Sequence, residues 1–435
     1  MSRKVAKFGG SSVADANQLR RVLAIVREDT KRSVVVVSAP GKRSAQDVKI
    51  TDLLYRCHEV AGNASDFEAT FSVIAGRFQQ IVSDLGVGVA IDAELQSVRD
   101  GILSGRGADF AASRGEYLNG RIASSLLGAE FVDAADIIRF DNQGRLDADA
   151  TDKAIGERLR SGRFAVVPGF YGAKPDGSIK TFSRGGSDIT GALLARGVRA
   201  DIYENWTDVS GVLMADPRIV PGAKSIPALS YRELRELAYM GANVLHEEAV
   251  FPVIDVGIPV HVRNTNVPRD PGTLIVKDVE ASDSAVTGIA GRKGYTVIGL
   301  EKNLMNSEVG IGRRLLSALE RRGVSFEHMP TGIDSVSLVV EAAYLKGKLD
   351  AVLDEIRAEC RPDRLTVSEN MALVATVGRG MPKTPGVAGR LFGALAAAHV
   401  NVRMIDQGSG INIIVGVDEV DYEAAIRAIY EAFAG

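Results

Sequence analysis

The sequence predicts an α/β protein: a three-layer domain on a mainly parallel sheet, followed by two small ferredoxin-like βαββαβ units. Two observations carry that expectation. As far as about Ile275, short aliphatic strands alternate with amphipathic, helix-like segments. Beyond it, a strand, helix, strand, strand, helix pattern occurs twice.

The chain opens with a strand over residues 5–8, a helix over 15–28 and the wholly apolar run Val34-Val35-Val36-Val37. A continuous apolar strand is the mark of a parallel sheet covered on both faces. Residues 53–127 carry few strand signals and read as a helical excursion on that domain. The alternation resumes with strands over 164–170, 200–203 and 258–262, reached through helices over 188–196 and 231–248. In the last third, placing Gly310 on Gly386 aligns Arg314 with Arg390, Leu315 with Leu391, Ala318 with Ala394, Leu319 with Leu395 and Val324 with Val400. That is an internal repeat of one structural unit. Domains are expected at residues 1–275, 276–365 and 366–435, with strands over 296–300 and 371–377 open to exchange between the two copies. Small open sheets leave unpaired edges, so the copies are expected to pair within or between chains as a homodimer or higher homo-oligomer.

The 435 residues suggest about three domains. With 46% hydrophobic and 25% charged residues, the chain falls among ordinary globular proteins. Fifty-two basic against 55 acidic residues, a net charge of -3, leave no basic field for nucleic acid or an anionic membrane. Cys57 and Cys360 lack any disulfide or zinc-ligand spacing, which fits a reducing compartment, by default the cytoplasm. No signal-peptide core opens the sequence and no apolar run approaches membrane-spanning length.

Neither a GxxxxGK[ST] loop, nor a protein-kinase HRD/DFG set, nor a GxGxxG helix start is present. In their place, Lys7-Phe8-Gly9-Gly10-Ser11-Ser12 ends an apolar strand in two glycines and two hydroxyls. Such a corner can aim several backbone amides and one ammonium at a phosphate, although an ordinary βα turn has the same spelling. Ser183-Arg184-Gly185-Gly186-Ser187-Asp188 is a second glycine corner, where Arg184 could clamp a carboxylate or phosphate. Asp188 could either cap the following helix or position a cation or amine. Thr207 and Asp208, in a cluster running on to Asp216 and Arg218, fall near a strand's C-terminal end, where open α/β sheets bind ligands. A turn-rich loop is the alternative there, and Glu116 alone is a common helical glutamate.

Together these motifs, with the stretch GANVLHEEAVFPVIDVGIPVHVRNTNVPRDPGT, resemble the aspartate kinases of the amino acid kinase family. The doubled unit, with NSEVGIGRRLLSALERRGVSFEHM and TPGVAGRLFGALAAAHVNVRMIDQG, is similar to that family's tandem ACT domains. The resemblance implies ATP-dependent phosphorylation of the L-aspartate side-chain carboxylate, the entry to lysine, threonine and methionine biosynthesis. It implies Mg²⁺ carried as Mg-ATP, and no metal site of the protein's own. Lys7, Gly9, Gly10 and Asp188 would serve catalysis, while Glu116 would take the substrate ammonium and Arg184 its α-carboxylate. Ser187 and Ser38 would complete the amino acid and phosphoryl sides. Lys7, Gly10, Ser11, Thr207, Asp208, Asp216 and Arg218 would frame the nucleotide.

Two positions depart from the family pattern: Leu213 stands where tyrosine is usual and Asn243 where lysine is usual. They motivate one alternative, an amino-acid sensor whose kinase domain has decayed; within the enzyme class the rival is a carboxylate kinase acting on glutamate. The ACT resemblance implies feedback by an amino acid, lysine or threonine, bound around Asn306, Ser307, Gly310, Glu327 and Thr331 or around Asn401 and Asp406.

Overall fold

The computed structural model describes residues 2–183, 185–242, 245, 247–279 and 284–434. The chain forms two compact units, one of residues 1–212, 225–231 and 243–279, the other of residues 213–224, 232–242 and 280–435.

The chain begins with β1 (Lys4–Phe8), α1 (Ala16–Glu28) and β2 (Arg32–Val37), followed by four helices: α2 (Ile50–Glu59), α3 (Ala64–Leu85), α4 (Ile91–Leu103) and α5 (Ala108–Leu127). Next come β3 (Glu130–Phe131), α6 (Ala148–Leu159), β4 (Ala165–Pro168), β5 (Tyr171–Ala173), β6 (Ile179–Thr181), α7 (Gly186–Val198), β7 (Ile202–Thr207) and β8 (Ala228–Ser230). Helix α8 (Tyr231–Tyr239) lies in the second unit from residue 232 on, and α9 (Phe251–Ile254), β9 (Val260–Asn264) and β10 (Thr273–Val276) complete the first.

The first unit holds an eight-stranded sheet in the order β3-β4-β2-β1-β7-β9-β10-β8. Only the β9–β10 pair in it is antiparallel. All four valines of 34–37 are fully buried, as a strand covered on both faces requires. Asp15 starts α1 by accepting the Gln18 amide at 2.9 Å, and Leu19, Val22, Ile25 and Val26 follow on one buried face. The helical excursion packs α3 by Phe67, Phe71, Ile74, Phe78 and Ile81 into the same core. Each such side chain contributes roughly 1.5–3 kcal/mol through burial. The helix expected over 231–248 is shorter: α8 stops at Tyr239, and Gly241, at φ 100°, turns the chain out of the helix.

The second unit continues with β11 (Gly288–Glu301), α10 (Ile311–Arg321), β12 (Ser335–Glu341), α11 (Ala342–Leu345), α12 (Leu349–Cys360), β13 (Arg364–Val377), α13 (Val387–Ala397), β14 (Met404–Asp406), β15 (Asn412–Asp418) and α14 (Tyr422–Ala434). Its antiparallel sheet has the order β12-β11-β13-β15-β14. The repeat is exact in geometry at several points. Gly310 and Gly386, at φ 85° and 89°, precede α10 and α13, and the amides of Val324 and Val400 close the same turn on Leu319 and Leu395.

Strand pairing shows which segments the two copies share, a point the sequence leaves open. Residues 296–300 stay with β12 of the first copy and 371–377 with β15 of the second. The crossing strand is the first half of β11, where Gly288 to Lys293 pair with Val377 to Ala372. The second copy thus takes an edge from residues that precede the first. The register breaks around Gly294, whose φ of 92° lets β11 bend between the copies. Among the described residues no helix is long and apolar enough to cross a membrane.

Candidate active site

Strand alternation decides where the polar residues of the central strands point. Lys7 of β1 lies in register with Asn205 of β7. On the neighbouring β7 positions, Glu204 and Trp206 are buried with Arg32: Arg32 Nε donates to Glu204 Oε2 at 2.7 Å, and Trp206 Nε1 donates to the same oxygen at 2.9 Å. That anchored pair leaves Asn205 for the opposite face. There Asn205 Nδ2 donates to Asp188 Oδ1 at 2.8 Å, and Lys7 Nζ pairs with the same carboxylate oxygen. Among the described residues no side chain caps helix α7, and Asp188 is bound to Asn205 and Lys7 instead, so the capping alternative for Asp188 does not hold.

The Lys7 ammonium is drawn back over the first glycine corner, for a Cβ added at Gly9 would stand 3.4 Å from Nζ. Past the strand ends the backbone ladder continues. Gly9 N bonds Trp206 O at 2.9 Å, Ser38 N bonds Phe8 O at 3.1 Å, and Gly169 N bonds Val37 O at 3.0 Å. The C-terminal ends of β1, β2, β4 and β7 therefore form one rim, with Gly10 and Ser11 in the turn Gly10–Val13 and Thr207 closing β7. Thr207 Oγ1 donates to the exposed Asp208 at 3.2 Å. The second corner reaches the rim as well: a Cβ at Gly169 would meet Ser187 Oγ at 2.6 Å.

Two residues that motif reading does not single out complete this rim. Gly41 N bonds Gly10 O at 2.9 Å, and a Cβ on Gly41 would fall 2.6 Å from the Gly10 carbonyl carbon. Pro40-Gly41, a turn marker directly after a buried strand, is the available signal. Asn205 has none, because its role comes from register.

Glu116 lies inside α5 and is 5% exposed. Burial pushes its carboxyl up to about 8, against the Ala39 amide that donates to it and the nearby Arg114 charge. A carboxyl raised on folding keeps its full contribution to stability below about pH 4.5 and loses it as pH rises toward 8. Glu116→Gln, which carries no such proton, is expected to gain stability relative to wild type across that interval. The gap should level off above pH 8 at of order 3–5 kcal/mol. Thermal melts of both proteins from pH 4 to 9 check this, and parallel curves would remove the burial account.

The remaining positions scatter. Arg184 and Asn243 lie outside the described residues. Asp216 and Arg218 belong to the second unit, where Arg218 Nη2 meets Asp216 at 2.6 Å on an exposed loop and holds its carboxyl below the usual range. Leu213 is in that unit also.

Within the repeats, Asn306 and Ser307 form the turn before Gly310 and α10. Glu327 N bonds Val339 O beside β12, and Thr331 bridges Val336. Burial and the neighbouring Glu341 raise the Glu327 carboxyl. In the second copy Asn401 is exposed after α13, whereas Asp406 Oδ2 accepts from His328 Nδ1 of the first copy at 2.5 Å. The two regions named as separate effector sites thus touch within one chain.

A rim of backbone amides, one ammonium and a partly exposed carboxylate at the ends of parallel strands can gather phosphate oxygens beside a buried acid. Residues 2–264 match the model of the amino acid kinase family, and residues 374–433 match that of the ACT domain. Aspartokinase 3 of Bacillus subtilis (strain 168) is 37% identical over 453 residues, 99% of this chain and 98% of that protein. The aspartate kinase of Clostridium acetobutylicum, an allosteric enzyme, superposes with a TM-score of 0.91 at 53% identity over all of both chains. E. coli aspartokinase III also covers both chains fully at 28% identity, with a TM-score of 0.77 for its complex with aspartate and ADP and 0.78 for its complex with lysine and aspartate. The chain belongs to the amino acid kinase family and, within it, to the aspartate kinases, the enzymes that phosphorylate aspartate.

Proposed function

We propose that the protein transfers the γ-phosphoryl group of ATP to the side-chain carboxylate of L-aspartate, giving ADP and 4-phospho-L-aspartate for lysine, threonine and methionine synthesis. The observation that carries this reading is the Lys7 ammonium, held by Asp188 over Gly9 at the meeting of two glycine corners. An aspartate side chain, with a reference pKa near 3.9, is already an anion at neutral pH, so no general base is needed. One carboxylate oxygen bonds to the γ-phosphorus while the bond to the bridging oxygen breaks and ADP leaves with that electron pair. The barrier is charge, and the residues answer it. Lys7 with the Gly10 and Ser11 amides neutralises the equatorial oxygens, Gly9 carries the turn with its own amide on Trp206 O, and Ser38 flanks them. Glu116 receives the substrate ammonium, Arg184 and Ser187 its α-carboxylate, and Thr207 and Asp208 the nucleotide.

Among the described residues no three His, Cys, Asp or Glu side chains converge as a cation site. Mg²⁺ would arrive on the nucleotide, since this ion takes few protein ligands and keeps phosphate and water oxygens. Asp188 is the carboxylate placed to meet it. When bound, the ion neutralises charge on the β- and γ-phosphates.

The two repeats act as a pair of ACT units that bind an amino acid end product, with lysine favoured by the acidic Glu327 and Asp334, and they pair chains into a homo-oligomer. E. coli aspartokinase III, a relative in fold and sequence, has been solved with lysine. The chemistry is tested by incubating the protein with Mg-ATP, hydroxylamine and either L-aspartate or L-glutamate. Acyl hydroxamate with aspartate alone is expected. Product with glutamate, or none with either, overturns the reading.

A further inference from the structure

One helical turn beyond Glu116, Asn119 is completely buried on α5. Its Nδ2 donates to Ser38 O at 2.7 Å. A carbonyl oxygen can only accept, so this bond fixes which way the amide lies and leaves Oδ1 as the free end. Among the described residues neither Asn119 Oδ1 nor Glu116 Oε2 has a hydrogen-bonding partner. Residues three apart on a helix are neighbours, and both side chains grip the same stretch of chain, Glu116 the Ala39 amide and Asn119 the Ser38 carbonyl. That stretch leaves β2 at the rim. The helix can come this close because residue 115 is glycine, where a Cβ would fall 2.8 Å from that of Ala39.

Buried oxygens without a protein partner are costly, and in the free protein the Glu116 carboxyl lessens that cost by keeping its proton. An ammonium, with three N–H donors and no acceptor, matches these two oxygens once Glu116 gives up that proton. We infer that Asn119 Oδ1 is a second ligand for the α-ammonium of the amino acid substrate, beside Glu116, and that it sets the preference for an α-amino diacid over the same diacid without the amine. The inference rests on the aspartate kinase reading and adds to it a specificity residue.

Asn119→Leu keeps the branching at Cγ and removes the acceptor. Inhibition and saturation constants are measured for L-aspartate and for succinate, the same four-carbon diacid lacking the amine, together with the KM for ATP. A hydrogen bond to a charged group corresponds to about a 10- to 100-fold change in constant. The expected result is a rise of that size for aspartate, with succinate and ATP within about twofold of wild type. If Asn119 acts only by holding Ser38, aspartate and succinate weaken together, and the inference is overturned; an unchanged aspartate constant overturns it too. Asn119→Ser, which shortens the side chain without a clash, gives the same comparison should the leucine variant not fold. A wild-type protein that neither binds nor phosphorylates aspartate would instead bring down the substrate reading, and this inference with it.

Discussion

Replacing Lys7 with alanine is expected to lower kcat by about 10²- to 10³-fold, the range found when one preorganised donor is taken from a charge-stabilising site. The loss should appear in kcat more than in KM for aspartate, because negative charge spreads over the transferring group only as the reaction proceeds. The fold should survive. Without the ammonium, Asp188 keeps the Asn205 Nδ2 bond at 2.8 Å, and at 19% side-chain exposure it is within reach of water. Steady-state kinetics with circular dichroism of the unliganded protein separates the two effects. Turnover within threefold of wild type would place Lys7 outside the chemistry.

Gly41→Ala is expected to reduce kcat/KM for ATP by about 10²-fold, although residue 41 carries no chemistry of its own. The new methyl would lie 2.6 Å from Gly10 C, 2.7 Å from Gly10 O and 2.8 Å from Ser11 N. All three are backbone atoms and cannot rotate aside. The loop bearing Gly41 cannot easily yield either. Buried Arg77 of α3 donates to Gly41 O, to Ala14 O and to Asp47 Oδ2, each at 2.8 Å. The displacement therefore goes into the corner that would meet the phosphates, where a shift on the scale of 1 Å costs about two orders of magnitude. Overpacking of this kind also lowers stability by about 1–3 kcal/mol. Gly62→Ala is the control, since a Cβ there meets nothing within 4 Å. If the two variants have equal kcat/KM for ATP, close packing at Gly10 is not what shapes the nucleotide side.

Much of this architecture could be read directly. The valine run of β2, the helical excursion and the alternation before residue 275 are periodic signals that local chemistry dictates, and each has its element. The repeat could be read as well, down to the paired glycines at 310 and 386. The candidate site was legible where a motif spells it, at Lys7, Gly9, Gly10, Ser187 and Asp188, which come together on the rim. It was not legible where a residue matters through its neighbour. Asn205 and Asn119 are ordinary in sequence and Gly41 is marked only as a turn, and each acts on a partner 17, 81 or 31 positions away. Asp216 and Arg218 show the reverse, being adjacent in sequence to Thr207 and Asp208 yet assigned to the other unit.

By itself the sequence determined the fold class, the duplicated C-terminal unit and the chemistry on offer, because glycine corners, strand periodicity and charge are properties of short segments. Tertiary structure alone decided which half of β11 completes which repeat, that Asp188 pairs with Lys7 instead of capping its helix, and that Glu116 sits where its proton is hard to remove. Register between strands some 200 residues apart and burial against distant helices set those outcomes. Both are products of the whole chain packing at once, and no local pattern encodes them.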